Sequence, residues 1–171
     1  MLVIRATRRL AQHVGAELIS APPPASTGNL GDWFGNWLPT SLGPVVVLMN
    51  GITRLAILST ARSPEQLVND LHDHLSRVLD TLGVPDDAAK TEIKAMSPVV
   101  FAKTNDRRFV GSLTEICRMV ATHDEDASLS MPNGLVDVED WLTELVHLNL
   151  PETHPADAVR ARLGGMDPRL H

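Results

Sequence analysis

Lys103-Thr-Asn-Asp-Arg-Arg108 places three cations, a hydroxyl, a carboxamide and a carboxylate in six consecutive residues. Ammonium and guanidinium groups make charge-assisted hydrogen bonds with carboxylates and phosphates, so a turn of this composition suits an anion. The stretch 103–112 is therefore the first candidate for a site, with Lys103, Thr104, Asn105 and Arg107 as ligand-binding residues. A second polar set lies in Leu30-Gly-Asp-Trp-Phe-Gly-Asn-Trp-Leu38, where half of the chain's aromatics fall within five residues. Read as a strand, it puts Asp32, Phe34 and Asn36 on one face. Two polar groups on one side of a half-buried strand can serve a ligand, or can satisfy loop backbone or an arginine. A third element is Thr7-Arg8-Arg9, where Thr7 can cap a helix. Positive charge in a first turn opposes the helix dipole. Either solvent and nearby carboxylates offset it, or an anion is held at the helix start by backbone N–H groups and these arginines. Arg8 joins the candidate ligand-binding set on that account.

Two chemistries follow from these residue types. In a binding or interaction module, Arg8, Arg9, Lys103, Arg107 and Arg108 would form a local basic patch for a small anion, a nucleotide or an acidic protein partner. In an enzyme acting on a phosphorylated or amide substrate, Asp32 would be the acid or base. Lys103 and Arg107 would then stabilise developing charge and Asn36 would orient the substrate. No nucleophile paired with a base is visible, so catalytic residues stay unassigned. The structural alternative to both is that Asp32 and Asn36 tie Arg107 and the Lys103 turn to the sheet. A fourth reading, one half of a two-protein module of the toxin–antitoxin kind, is suggested by small size and by the motif resemblance given below.

Composition removes several classes. A net charge of −6 argues against a protein built to bind nucleic acid. So does the absence of Tyr, with only three Phe and three Trp to stack on bases. The single cysteine, Cys117, rules out an internal disulfide and a cysteine zinc site, and reads as a small core residue of a helix. His72 and His74 tempt a metal reading, but at 100° per residue they leave a helix on different sides. His123-Asp-Glu-Asp126 matches no calcium loop. A Walker loop, a Rossmann fingerprint, a zinc-protease helix and a nucleophile elbow are all missing, so neither a metal nor a cofactor is expected. The apolar start 1–4 is too short for a signal peptide and no stretch reaches membrane-spanning length, which points to a cytoplasmic protein without membrane contact. Nothing in the sequence specifies an oligomeric state.

The elements that must position these residues are legible. Residues 2–6 read as a strand and 7–15 as a capped helix. Ala21-Pro-Pro-Pro-Ala-Ser-Thr-Gly28 reads as a connector, although a polyproline ligand for a partner is conceivable. Val45-Val-Val-Leu-Met49 is a run fit for a strand covered on both faces. Asn50-Gly51 predicts a two-residue type I′ hairpin with 52–59 as the returning strand, and 33–38 joins these as a meander. Ser63-Pro-Glu-Gln66 opens a helix to Leu82 with an apolar arc. A short helix over 85–95 and a strand over 99–102 follow. Ser112-Leu-Thr-Glu115 predicts a capping box, with Leu113, Ile116, Cys117 and Val120 as the buried face of the helix it starts. Asp137 is the expected cap of a helix carrying Trp141, and 155–163 forms a last short helix.

The expected architecture is one α+β domain, an antiparallel sheet of four to five strands packed with helices. Residues 1–125 form its core; 126–171 supply an acidic loop, C-terminal helices packed on that core and a mobile tail.

In order along the chain, Thr7-Arg-Arg-Leu10, Asp32-Trp-Phe-Gly-Asn36, the hairpin with Thr53, and Lys103-Thr-Asn-Asp-Arg-Arg108 with Gly111 resemble a bacterial domain family of unknown function. Its members read Thr-Lys-Lys-Leu, Asp-Trp-Tyr-Ala-Asn and Lys-Thr-x-x-Arg-x-x-x-Gly. The likeness runs over about residues 2–122 and more loosely over the helix near Trp141. It departs from the pattern at Thr114-Glu115, where the family shows an Asn-Asp pair. The resemblance implies no activity; it implies that Arg8, Asp32, Asn36, Lys103 and Arg107 are neighbours.

Overall fold

The computed structural model describes residues 1–104 and 106–165. Asn105 and the expected mobile tail, 166–171, lie outside the described residues. Five strands, β1 (Leu2–Ala6), β2 (Trp33–Thr40), β3 (Gly43–Asn50), β4 (Ala56–Ser59) and β5 (Val99–Lys103), form one sheet in the order β4-β3-β2-β1-β5. Helices α1 (Arg8–Val14), α2 (Pro64–Thr81), α3 (Asp86–Ala95), α4 (Arg107–Glu125), α5 (Gly134–Thr143) and α6 (Pro155–Leu163) complete a single α+β domain. Among the described residues no helix is long and apolar enough to cross a membrane.

The sheet is mixed, which corrects the antiparallel expectation. β2-β3 and β3-β4 are antiparallel, but β1 pairs in parallel with both β2 and β5. Parallel neighbours need a crossover of a dozen or more residues. The chain supplies one through α1 and the proline loop, and another through α2 and α3. Strand periodicity reports which face a residue takes, not which strand lies beside it.

Each face carries its own core. Leu2, Ile4, Leu10, Trp33, Val46, Leu48, Ile57, Leu71 and Leu75 pack with residues of α6 on one side. Phe34, Val45, Val47, Met49 and Leu58 pack with Leu113, Ile116, Val120, Val138 and Leu142 on the other. The run 45–49 is thus apolar throughout because alternate residues enter different cores.

The hairpin exists, but its loop is longer than a two-residue turn. Asn50 ends β3, its N–H donates to the Leu55 carbonyl at 2.8 Å, and Gly51-Ile-Thr-Arg54 forms the loop. The fully buried Asn50 side chain holds this loop from inside. Its Oδ1 accepts from the N–H of Ile52 (3.0 Å) and Thr53 (2.9 Å) and from the Thr53 hydroxyl (3.0 Å), while Nδ2 donates to the Leu30 carbonyl at 2.8 Å. The left-handed residue is Arg54, with φ 61°. Gly51 serves close approach instead: a Cβ there would lie 2.9 Å from the Phe34 ring.

Two helix starts also differ. α4 begins at Arg107, capped by Asp106, whose Oδ1 accepts from the Arg108 N–H at 2.9 Å. Ser112 is therefore inside the helix rather than at its cap. The longer helix adds Phe109, stacked on Phe34 at 4.3 Å, to the buried face. α5 begins at Gly134 after Asn133, not at Asp137.

Both outer strands are covered. The Ile19 N–H donates to the Phe101 carbonyl at 2.9 Å along β5. Along β4, the Leu58 N–H donates to the buried Glu139 carboxylate of α5 at 2.7 Å.

Candidate functional site

Asp32 precedes β2 on the face that carries Phe34. Its partner is Arg5, the one charged residue of β1, which the parallel register sets against Phe34. Arg5 Nε donates to Asp32 Oδ2 at 2.7 Å, and the Ser26 hydroxyl donates to Oδ1 at 2.6 Å. Ser26 in turn accepts from the Val3 N–H at 2.9 Å. The carboxylate thus fastens the proline loop and β2 to β1. A charged group in an otherwise apolar strand needs such a partner, and Arg5 in Leu-Val-Ile-Arg-Ala was the signal for it.

Asn36 is engaged as well. Its Oδ1 accepts from the Thr7 hydroxyl and from the Trp37 N–H, both at 2.9 Å. This leaves the Thr7 oxygen oriented to accept from the Leu10 N–H at 3.2 Å, which caps α1. Thr7 and Asn36 are one structural unit.

Lys103 pairs in register with Ala6 and takes the face of Ala6, opposite to Arg5 and Asp32. It is exposed, as is Arg8 at the start of α1. Arg9 lies over the Trp37 ring, 4.8 Å from its centroid. The Thr104 hydroxyl is buried with no hydrogen-bond partner among the described residues. Asn105 lies outside the described residues. The fold therefore divides the seven residues suggested by sequence: Asp32 and Asn36 serve structural ties, Lys103 faces away from Asp32, and Arg107 enters a separate groove. The pocket that Asp32 lines, of about 340 Å³, contains Arg5, Phe34 and Phe109 but neither Lys103 nor Arg107.

Replacing Asp32 with asparagine is expected to lower stability by about 1–3 kcal/mol, because a partly buried guanidinium loses its carboxylate. A urea midpoint unchanged from wild type would show that this tie contributes nothing.

A groove of about 870 Å³ lies between α4 and the segment 145–149. Arg107 and Arg108 line it at the N-terminal end of α4, and Arg54 reaches it from the hairpin loop. The Arg54 guanidinium sits 4.6 Å above the Phe109 ring and donates to the Gly51 carbonyl. Burial, then the charge of Arg108, lowers its pKa from the usual arginine value, opposed only in part by Asp106. At the start of α4, the Arg108 N–H holds the Asp106 carboxyl below its usual range. His147, on the far wall, has its pKa lowered by burial first and then by Arg54 and His154, so its imidazole is neutral at pH 7. Glu115 is the carboxylate that lines the groove, and Arg118 pairs with it at 2.7 Å. Ile116, Met119, Leu145, Val146 and Leu148 make the remaining walls aliphatic.

Sequence reasoning missed Arg54 and His147. Arg54 looked like a residue of the returning strand; its signal was a single arginine in a loop flanked by apolar strands. His147 lies between two aliphatic residues after α5, where no periodic pattern marks a face. Cys117, by contrast, sits where its helix position predicted. Burial pushes its thiol up to about 11, which keeps it protonated and poorly nucleophilic at neutral pH. His74 of α2 is turned to Glu139, with Nδ1 and Oε1 2.5 Å apart, so its partner is a buried carboxylate rather than His72.

Comparison with curated proteins finds no match. A family model, by contrast, covers nearly the whole chain, from the first strand to the middle of α6, and includes every residue of the groove. The chain belongs to the family described as Domain of unknown function (DUF6933), matched over residues 3–158.

Proposed function

We propose that this chain is a binding protein whose ligand is an anion held in the groove between α4 and 145–149. The observation that carries the reading is the convergence of Arg54, Arg107 and Arg108 on one concavity, where Glu115 is paired with Arg118 and a further carboxylate, Asp106, meets Arg108 at 3.5 Å. Guanidinium groups held close together repel one another, and the lowered pKa of Arg54 reflects that repulsion together with burial. A bound carboxylate or phosphate would relieve it and accept bidentate hydrogen bonds. The concavity lies within the size range of small-molecule sites. Acidic composition, a single cysteine and the motif resemblance support a bacterial, cytoplasmic setting.

Calorimetric titration with inorganic phosphate and with acetate tests the reading. Arg54→Asn, chosen because asparagine tolerates the left-handed backbone, combined with Arg107→Gln should weaken binding at least tenfold, about 1.4 kcal/mol. Arg8→Gln with Lys103→Gln should leave it unchanged. Equal affinity in the groove variant and the wild type would sink the proposal, and loss confined to the Arg8/Lys103 variant would move the site to the start of α1.

A further inference from the structure

We infer that the ligand of this groove is a single-chain amphiphile, an aliphatic tail ending in a carboxylate or phosphate. The inference rests on the anion reading above and goes beyond it by naming the rest of the ligand. Three observations carry it. The first is the gradient along α4: the groove is cationic at Arg107 and Arg108 and aliphatic at Ile116 and Met119. From Arg107 to Met119 the helix runs roughly 18 Å at its ordinary rise per residue, so head and tail sites are well separated. The second is the opposite wall. Val146 is 55% and Leu148 94% exposed, so uncovered aliphatic surface borders the groove. Covering such surface is favourable in proportion to the area removed from water.

The third observation argues against a nucleotide. Phe109 is the aromatic ring that lines the groove, and both its faces are engaged, one stacked on Phe34 at 4.3 Å and the other covered by Arg54 at 4.6 Å. A base would find neither face of the Phe109 ring free and only the His147 imidazole and the arginine planes to lie against, whereas an alkyl chain needs no ring face.

The test uses the full chain and five probes, each kept below its aggregation threshold: decanoate, decyl phosphate, decanol, inorganic phosphate and adenosine monophosphate. Decanoate or decyl phosphate should bind at least tenfold more tightly than inorganic phosphate, and at least tenfold more tightly than decanol. Comparison of the two tailed anions identifies the head group as carboxylate or phosphate. Leu148→Asn, a change at an exposed position, should weaken the tailed anions several-fold and leave inorganic phosphate unaffected. Tailed anions binding no better than inorganic phosphate would overturn the amphiphile while leaving the anion site standing. Adenosine monophosphate binding as tightly as decanoate would do the same. Absence of binding by every anion would overturn both readings. Association with phospholipid vesicles but with none of the monomeric amphiphiles would replace the soluble ligand by a membrane surface and overturn the inference.

Discussion

Glu139→Ala is expected to destabilise the fold by about 3–5 kcal/mol, the cost of breaking a buried charged network by removing one partner. The Glu139 side chain is fully buried. It accepts from the Leu58 N–H at 2.7 Å and from Arg77 at 3.0 Å, and it meets His74 Nδ1 at 2.5 Å. Arg77 also reaches Asp140 at 2.8 Å. One carboxylate thus satisfies an edge-strand donor of β4 and binds α5 to α2. Its loss leaves that donor without its acceptor, Arg77 without one of its two carboxylates and His74 without its hydrogen-bond partner. Urea unfolding at constant m-value measures the effect. A variant within about 1 kcal/mol of wild type would mean that apolar packing alone holds α5, which the magnitude for a broken buried pair does not allow.

The same network makes stability depend on pH. The hydrogen bond with Glu139 raises the pKa of His74, aided by the charges of Glu139 and Asp70 and opposed by burial and Arg77. A histidine whose folded pKa is raised contributes stability that is fully present below its unfolded pKa of about 6.5 and is lost as pH rises through the folded value. His72 and His147 act in the opposite sense, because burial lowers both. Their neutral forms favour the fold above about 6.5, and that contribution falls away on acidification. The total profile mixes these signs, so the informative quantity is the stability difference between wild type and His74→Gln. It should be largest below about pH 6.5 and shrink toward pH 9. A difference constant over that range would rule out a protonated His74.

The second large effect is expected from Asn50→Ala, at about 3 kcal/mol or more, because removing a buried side chain with five hydrogen bonds leaves several groups unsatisfied. The substitution should also weaken the groove. Asn50 closes the loop that places Arg54 at φ 61°, from where its guanidinium covers Phe109 and lines the cavity. Anion affinity, measured on the folded fraction at low temperature, should fall at least fivefold even though residue 50 lines no part of the groove. A variant that loses stability but keeps wild-type affinity would show that Arg54 is placed by its contact with Phe109 rather than by the loop.

How far sequence could be read depended on the range of the interaction involved. Thr7, Ser63 and Gly15 marked helix ends correctly, since a cap contacts residues only three or four positions away. The apolar arc of α2 and the two-sided burial of 45–49 were visible because periodicity is local. Even here competition between local signals mattered. Two plausible caps, Asp106 and Ser112, lie six positions apart, and the stacking of Phe109 on Phe34 favours the earlier one.

Partner choice was of another kind. Asp32, Asn36, Lys103, Thr104 and Arg107 were identified by residue type, and type alone cannot say which oppositely charged group lies beside each. By itself, the sequence determined the set of elements, most of their ends and the cation-rich turn 103–108. Tertiary structure decided that β1 lies between β2 and β5. That order gives Asp32 to Arg5, turns Lys103 to the opposite face, and leaves Arg54, Arg107 and Arg108 to converge beside Phe109. The physical reason is that strand order and loop geometry set contacts between residues tens of positions apart, and neither helical nor strand periodicity carries that information.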